Sequence, residues 1–170
     1  MDLKKYIRDV PDFPKKGIIF KDITTLLKKP EPFKYAVDTI VNKYKDQDID
    51  KVVSVEARGY IFGGVLAYSL NCGFVPVRKS GKLPSETLGM DYTLEYGTNT
   101  IEIHKDALKP GEKVLIFDDL LATGGTVQAT CQLVEKLGAQ VISCVFLIDL
   151  TFLKGAEKLK NYEVFSLIKY

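Results

Sequence analysis

Two adjacent acids and a glycine-rich turn stand together in VLIFDDLLATGGT, residues 114–126. Asp118 and Asp119 follow an apolar run, and like charges this close repel each other, which indicates that they act on something together. The turn ATGGT, residues 122–126, precedes a helical pattern. Free backbone N–H groups at a helix start bind anions, and glycines let the backbone approach them closely. A sugar phosphate fits both parts, with its phosphate on the turn and its hydroxyls on the acids.

The same stretch allows two other interpretations from the residues alone. A threonine at a helix start is often only an N-cap. An acid pair at a strand end can also hold Mg²⁺ directly, as in phosphorylated receiver domains. The stretch fits neither the P-loop, which needs lysine after its second glycine, nor GxGxxG. The spacing therefore predicts an anion site of a different kind.

Composition limits the classes of protein to consider. The 170 residues predict one domain, 1–170, and the apolar fraction of 46% suffices for a core. A net charge of +2, from 24 basic and 22 acidic side chains, argues against a nucleic-acid partner. The sequence contains no run of about 18 apolar residues, so we expect no membrane-spanning helix. The first twenty residues lack the apolar segment of a signal peptide, so we expect a cytoplasmic protein.

Cysteine and histidine content argues against several kinds of site. Cys72, Cys131 and Cys144 are odd in number and form no CxxC pair, which predicts buried reduced thiols. His104 is the only histidine and lies in the alternating stretch TIEIHKD. We therefore expect a surface strand residue there, with neither a histidine-rich metal site nor a Ser-His-Asp triad.

Strands and helices alternate along the chain. Helices are predicted over residues 31–45, 59–70 and 124–137, with a short one around 154–160, and strands over 51–55, 73–77, 99–106, 113–117, 140–150 and 162–168. The strands are continuously apolar, which indicates a parallel sheet covered on both faces. Such sheets bind ligands at the carboxyl ends of their strands, where the acid pair is expected. Residues 1–28 are predicted to be irregular.

A long loop with early cations follows the second predicted strand. RKSGKLPSETLGMDY, residues 78–92, has two glycines, a proline and little periodicity, and it returns through a strand, so that the segment can form a hairpin flap. Arg78, Lys79 and Lys82 belong either to a solvated basic loop or to a lid that closes over an anion.

The stretch VLIFDDLLATGGT closely resembles the signature of type I phosphoribosyltransferases, which bind 5-phosphoribosyl 1-pyrophosphate (PRPP). FPKKGIIFKDIT, EARGY, RKSGKLP…TLEYG and LTFLKGAEKL resemble further segments of its adenine-using members, in the same order and over nearly the whole chain. The resemblance implies an α/β fold with a mostly parallel central sheet flanked by helices. It also implies a small N-terminal hood over residues 1–28 and a flexible catalytic hairpin loop over residues 78–97.

The resemblance implies a reaction and its participants. The phosphoribosyl group of PRPP would pass to N9 of adenine in purine salvage, giving AMP and pyrophosphate through an oxocarbenium-like transition state. Mg²⁺ would be carried mainly by PRPP and water, not by a protein cage, and the protein would be a homodimer. The implied catalytic residues are Glu95, Asp118, Asp119 and Arg58, with Tyr96 beside the glutamate. The implied binding residues are Ala122, Thr123, Gly124, Gly125 and Thr126 for the 5′-phosphate; Ala57, Arg58, Arg78, Lys79 and Lys82 for pyrophosphate; and Ile19, Phe20 and Lys21 for adenine.

Several of these implied roles have ordinary alternatives. Phe20 can stack on a purine while the backbone beside it reads the 6-amino group, but its apolar context also suits core packing. Arg58 can be a surface cation at a helix start. In the family the peptide at Ala57–Arg58 is often cis. Departures from the family pattern at Lys16, Thr25 and Asp149 lie beside motifs and reduce certainty about the shape of the hood.

Two other classes of protein compete with an enzyme. Phosphoribosyltransferase domains also serve as PRPP-sensing transcription regulators, which usually add a DNA-binding segment or a strongly basic face. A receiver-like Mg²⁺ domain is the third possibility, but it explains neither ATGGT nor the long loop.

Overall fold

The computed structural model describes the backbone of residues 1–94 and 97–170, and the side chains outside 93–97. The strands are β1 (Arg8–Pro11), β2 (Ile19–Asp22), β3 (Lys51–Val55), β4 (Gly73–Lys79), β5 (Thr87–Leu94), β6 (Gly97–His104), β7 (Lys113–Leu121), β8 (Gln140–Asp149) and β9 (Glu163–Lys169). The helices are α1 (Thr24–Leu27), α2 (Pro30–Tyr44), α3 (Gly59–Ser69) and α4 (Gly125–Lys136), with 3-10 turns at Leu3–Tyr6, Thr151–Leu153 and Gly155–Leu159.

Seven strands form the central sheet in the order β5-β6-β4-β3-β7-β8-β9. The neighbours from β4 to β9 pair in parallel, whereas β6 pairs antiparallel with both β4 and β5. This arrangement confirms the predicted mostly parallel sheet. The carboxyl ends of β3, β4 and β7 therefore meet at one edge, which is where such sheets bind ligands.

Helices cover both faces of this sheet and enclose two apolar cores. One core lies under α4, with Val127, Cys131 and Val134 facing the strands, as their spacing predicted. The other lies under α2 and α3, where Ala36, Val37, Ile40 and Tyr44 of α2 are buried and Phe33 and Val41 are partly buried. None of the described helices has the length and apolar character needed to cross a membrane.

Helix α3 packs unusually close to β3. A Cβ atom added at Gly63 would lie 2.0 Å from Ser54 Oγ, so only glycine permits this distance. The contact fixes the start of α3 against the end of β3. Residues 56–58, between the two elements, are thereby held at the carboxyl edge of the sheet.

Several sequence predictions need correction. The first 28 residues are not irregular, because β1 and β2 pair as an antiparallel hairpin with Val10 opposite Phe20. The segment 78–97 belongs to a hairpin, as its return through a strand allowed, but its loop is shorter than predicted, since β4 continues to Lys79 and β5 begins at Thr87 and pairs with β6. Local turn residues suggested loops in both places, but backbone pairing between consecutive strands outweighs them. His104, expected on the surface, is half-buried at the end of β6.

Candidate active site

The two acids lie within β7, not beyond its end as predicted. Strand β3 pairs with β7 only as far as Ser54 opposite Phe117, whereas β8 continues its pairing to Leu121 opposite Asp149. The acids are therefore held by the sheet on one side and are free of a neighbouring strand on the other. This open side forms a cleft.

Burial and mutual repulsion set the charge state of the acid pair. Burial, followed by the charge of Asp119, raises the pKa of Asp118 well above its usual value. Burial also raises the pKa of Asp119, although the Arg58 guanidinium opposes this rise. The Asp119 N–H donates to Asp118 Oδ1 at 2.9 Å, which fixes the orientation of that carboxyl group. A positive charge developing between these acids would stabilise both as carboxylates.

Arg58 connects the acid pair to the N-terminal hairpin. Its Nε lies 2.9 Å from Asp119 Oδ2, yet that buried oxygen receives no aligned hydrogen bond from any described residue. Asp119 Oδ2 is therefore held by its ion pair with Arg58 and retains unused acceptor capacity. The Arg58 guanidinium carbon lies 4.9 Å from the centre of the Phe20 ring, which in turn meets Phe13 edge-on at 5.2 Å. Phe20 is thus half-buried beside the cleft and is not a core residue.

The phosphate turn predicted at 122–126 is held by close backbone packing. Gly124 has a φ of 78°, a left-handed conformation that favours glycine, and α4 starts at Gly125. A Cβ atom at Gly124 would lie 2.4 Å from the Gly155 carbonyl oxygen, and one at Gly155 would lie 2.2 Å from the Ala122 carbonyl oxygen. Thr123 is half-buried in the turn. Helix α4 thus begins beside the cleft, which Thr126 lines, and unpaired N–H groups at a helix start are able to bind an anion.

One cleft of about 200 Å³ brings many of the predicted residues together. Its lining consists of Val55, Glu56, Ala57, Arg58, Lys79, Tyr92, Ile101, Asp118, Asp119, Leu120 and Thr126. Of the predicted phosphate turn only Thr126 lines this cleft. The other described residues of the prediction that do not line it are Ala122, Thr123, Gly124, Gly125, Arg78, Lys82, Ile19, Phe20 and Lys21. Sequence reasoning missed Glu56 and Tyr92, although Glu56 is the first residue of the EARGY segment.

The remaining predicted residues lie around this cleft. Ile19 is 55% exposed, and the Lys21 ammonium group contacts Asp9 Oδ1 at 2.7 Å and the face of the Tyr170 ring at 3.8 Å. Glu95 and Tyr96 lie outside the described residues. The non-proline cis peptide joins Glu56 to Ala57, one residue earlier than the Ala57–Arg58 position considered from the sequence.

The geometry of the sheet, acid pair and phosphate turn defines a phosphoribosyltransferase, and residues 23–169 match the phosphoribosyl transferase domain family. The chain is 59% identical over 169 residues to adenine phosphoribosyltransferase of Halothermothrix orenii, with 99% of each protein covered. On this basis the chain belongs to the adenine phosphoribosyltransferase family.

Solved structures of the same family agree with the fold. The structure of adenine phosphoribosyltransferase from Thermoanaerobacter pseudethanolicus has a TM-score of 0.96 and 54% identity, covering 99% of this chain and 98% of that one. The Trypanosoma brucei enzyme, crystallised with AMP, pyrophosphate and ribose-5-phosphate, has a TM-score of 0.91 and 26% identity, covering 98% of this chain and 77% of its own.

Proposed function

We propose that the chain transfers the 5-phosphoribosyl group of PRPP to N9 of adenine, giving AMP and pyrophosphate in purine salvage. The observation that carries this proposal is the position of Arg58, which contacts Asp119 on one side and Phe20 on the other. A single cation thereby links the sugar end of the cleft to the hairpin where the base would bind. The name of the H. orenii relative and the ligands of the T. brucei structure support the same reaction.

The phosphate turn and the acid pair bind different parts of the ribose phosphate. Backbone N–H groups at the start of α4 hold the 5′-phosphate, because they are unpaired and carry the positive end of the helix dipole. Asp118 and Asp119 accept hydrogen bonds from the ribose hydroxyls. As the bond to pyrophosphate breaks, positive charge develops on the ribose, and the buried carboxylates stabilise it more strongly than water would.

The leaving group and the base lie on opposite sides of the reacting carbon. Ala57, Arg58 and Lys79 line the cleft where pyrophosphate would leave. Phe20 and the backbone of Ile19 and Lys21 would hold adenine, with the 6-amino group donating to a backbone carbonyl. A 6-oxopurine would place an acceptor there instead, which is the kind of mismatch that gives strong discrimination. Glu95, with Tyr96 beside it, would act on the purine from the hairpin loop.

Mg²⁺ would be bound mainly through PRPP. Among the described residues, no group of three or more His, Cys, Asp or Glu side chains is arranged to hold a metal. Magnesium retains waters and takes oxygen ligands from substrate phosphates, so the cation would arrive with the substrate. Bound in this way, the cation would supply positive charge to neutralise the pyrophosphate leaving group.

A base-panel assay tests the proposed function. The protein with PRPP and Mg²⁺ is expected to form AMP from adenine at least about 10²-fold faster than it forms IMP or GMP from the 6-oxopurines, because the mismatched acceptor is left unpaired. Product nucleotides are separated by chromatography, and parallel reactions with EDTA test the metal requirement. Preference for a 6-oxopurine contradicts the base assignment. PRPP binding without turnover points to a sensor of PRPP instead.

The exposed face of α3 supports a homodimer. This helix is apolar on nearly all sides, yet Ile61 is 43% exposed and Tyr68 is 88% exposed. Phe74 of neighbouring β4 adds a ring that is 37% exposed. A second copy of the chain, presenting the same face, would bury these side chains.

Cytoplasmic location suits the free thiols, since the sulfur atoms of Cys131 and Cys144 are 3.5 Å apart and unbonded.

Tyr68→Glu is expected to convert the dimer to a monomer, because it would place a charge inside an apolar interface. Light scattering coupled to size-exclusion chromatography measures the mass at several concentrations. Tyr35→Glu, at a tyrosine on α2 that is 40% exposed, is the matched control and should keep the wild-type mass. A Tyr68→Glu protein that remains dimeric would show that another face forms the contact.

A further inference from the structure

Two glutamates from different strands hold the segment Arg78–Lys82, which we call the cationic turn. Glu56, directly after β3, provides the first set of contacts. Its Oε2 accepts from Arg78 Nε at 2.8 Å and lies 2.8 Å from Arg78 Nη2, while its Oε1 accepts from the Lys79 N–H at 2.7 Å. Burial alone would raise the pKa of Glu56, but these hydrogen bonds and charges outweigh it and lower the pKa. The group is therefore a carboxylate at neutral pH.

Glu102 of β6 holds the middle of the cationic turn. Its Oε1 accepts from Ser80 Oγ at 2.6 Å, and its Oε2 accepts from the Gly81 N–H at 3.0 Å. The Ser80 N–H donates to the Thr100 carbonyl at 3.1 Å, so the backbone of β6 supports the same residue. Gly81 has a φ of 77°, the left-handed conformation that the turn requires.

The three guanidinium nitrogen atoms of Arg78 all take part in contacts within this arrangement. Besides its two contacts to Glu56, its Nη1 donates to the Lys82 carbonyl at 3.1 Å, and the side chain does not line the cleft. Each residue of the cationic turn is therefore fixed through its side chain, its amide or its carbonyl. The ammonium groups of Lys79 and Lys82 have no ion pair within the described part of the chain, so their charge remains for a ligand.

We infer that Glu56 and Glu102 are positioning residues for the pyrophosphate group of PRPP. They fix the cationic turn so that the ammonium group of Lys79, which lines the cleft, meets the leaving group without a loss of loop entropy at binding. Arg78 belongs to this support and not to the ligand shell. The inference rests on the proposed function, because it assigns the cationic turn to the pyrophosphate end of that substrate.

The direction in which affinity for PRPP and pyrophosphate changes distinguishes a positioning role of Glu102 from a purely electrostatic one. A carboxylate near a polyanion repels it, so removal of Glu102 by charge alone would strengthen binding of PRPP and pyrophosphate. A positioning role predicts the opposite. Without Glu102, Ser80 and Gly81 lose their acceptors and the lysines lose their fixed position.

Glu102→Ala is expected to raise KM for PRPP about tenfold, the effect of losing hydrogen bonds to a charged group. The dissociation constant for inorganic pyrophosphate, measured by calorimetry with Mg²⁺, should rise similarly. In contrast, kcat at saturating PRPP and KM for adenine should stay within about twofold of wild type, since the acids and the hairpin are untouched. Glu102→Gln keeps one carbonyl acceptor and should recover part of the affinity.

Glu86→Ala is the matched control. Glu86 lies in the same β4–β5 connection, its side chain is 81% exposed, and it pairs with Lys105, outside the cationic turn. Glu86→Ala removes the same charge as Glu102→Ala and should leave both KM for PRPP and the dissociation constant for pyrophosphate unchanged. Ser80→Ala, which breaks one Glu102 contact without a charge change, should weaken pyrophosphate binding about threefold.

Three results would overturn the inference: unchanged affinity in Glu102→Ala, tighter binding in that variant, or an equal loss in Glu86→Ala. A wild-type protein that binds pyrophosphate but makes no AMP from PRPP and adenine contradicts the proposed function alone. The pyrophosphate titrations still decide the role of Glu102 in that case.

Discussion

Asp119→Asn should lower kcat/KM for PRPP by about 10²-fold, the size of effect seen when one preorganised electrostatic group is removed from an active site. Asp119 is 4% exposed, and its Oδ2 has no aligned donor among the described residues. The asparagine has nearly the same shape but cannot offer a negative charge to a positively charged ribose. Steady-state kinetics with PRPP varied at saturating adenine measures the loss.

The same substitution should not lower the unfolding temperature at neutral pH. Burial raises the pKa of Asp119 in the folded protein. A group whose folded-state pKa is raised contributes stability below its unfolded pKa, and this contribution is lost as pH rises through the folded value. At neutral pH the carboxylate is therefore a cost to the fold, one that its contact with Arg58 only partly offsets. A loss of activity without a loss of thermal stability identifies a functional acid.

Asp38→Asn is the control for this experiment. Asp38 pairs with Lys34 on the exposed face of α2, far along the chain from the acid pair, and its substitution should change neither rate nor melting temperature. Wild-type turnover in Asp119→Asn would remove the acid pair from the mechanism and with it the account of how the ribose charge is stabilised.

The parts of the site that the sequence predicted are local in the chain. The acid pair and the glycines of the phosphate turn lie within one short stretch, so their types and spacing are visible together. Strand β3 occupies the residues that its apolar run predicted, 51–55. Periodicity reports which face of an element is buried, and here it also identified the edge of the sheet where ligands bind.

The parts that the sequence did not predict depend on pairing and contacts between segments, which no single stretch of sequence displays. The hairpin of β1 and β2 contains turn residues that indicated an irregular segment, and only its pairing makes it a strand pair. Glu56 and Glu102 are 46 residues apart in the chain and converge on the cationic turn because β3 and β6 flank β4. Single-sequence patterns carry no information on such convergence.

The end of β7 shows how an element boundary changes the chemistry. The apolar pattern predicted a strand that ended at residue 117, which would have put both acids in a loop. Instead β8 pairs with β7 past them, to Leu121. The sheet therefore fixes the backbone of both acids before any substrate binds, a requirement for preorganised electrostatics that a loop would meet poorly.

Gly155 provides the second large effect; it lies in the segment LTFLKGAEKL, whose resemblance to the family assigned it no role. It lies about 30 residues after the phosphate turn, yet a Cβ atom there would be 2.2 Å from the Ala122 carbonyl oxygen and 2.9 Å from Leu121 Cδ1. Gly155 has no left-handed φ, so the cost of a substitution comes from this contact alone. The chain can relieve the overlap only by moving the phosphate turn or the 3-10 turn that begins at Gly155.

Gly155→Ala should lower kcat/KM for PRPP about 10²-fold, since a displacement near 1 Å at a binding site can have an effect of this size. The loss should appear mainly in KM for PRPP, because the turn holds the phosphate while the acids keep their place in β7. Gly89→Ala is the control, since a Cβ there meets nothing closer than 3.4 Å. Kinetics below the melting temperature of each variant separates this effect from unfolding, which overpacking also promotes. A Gly155→Ala enzyme with wild-type KM for PRPP would mean that the turn does not hold the 5′-phosphate. A displaced turn would otherwise bind that phosphate more weakly and raise KM.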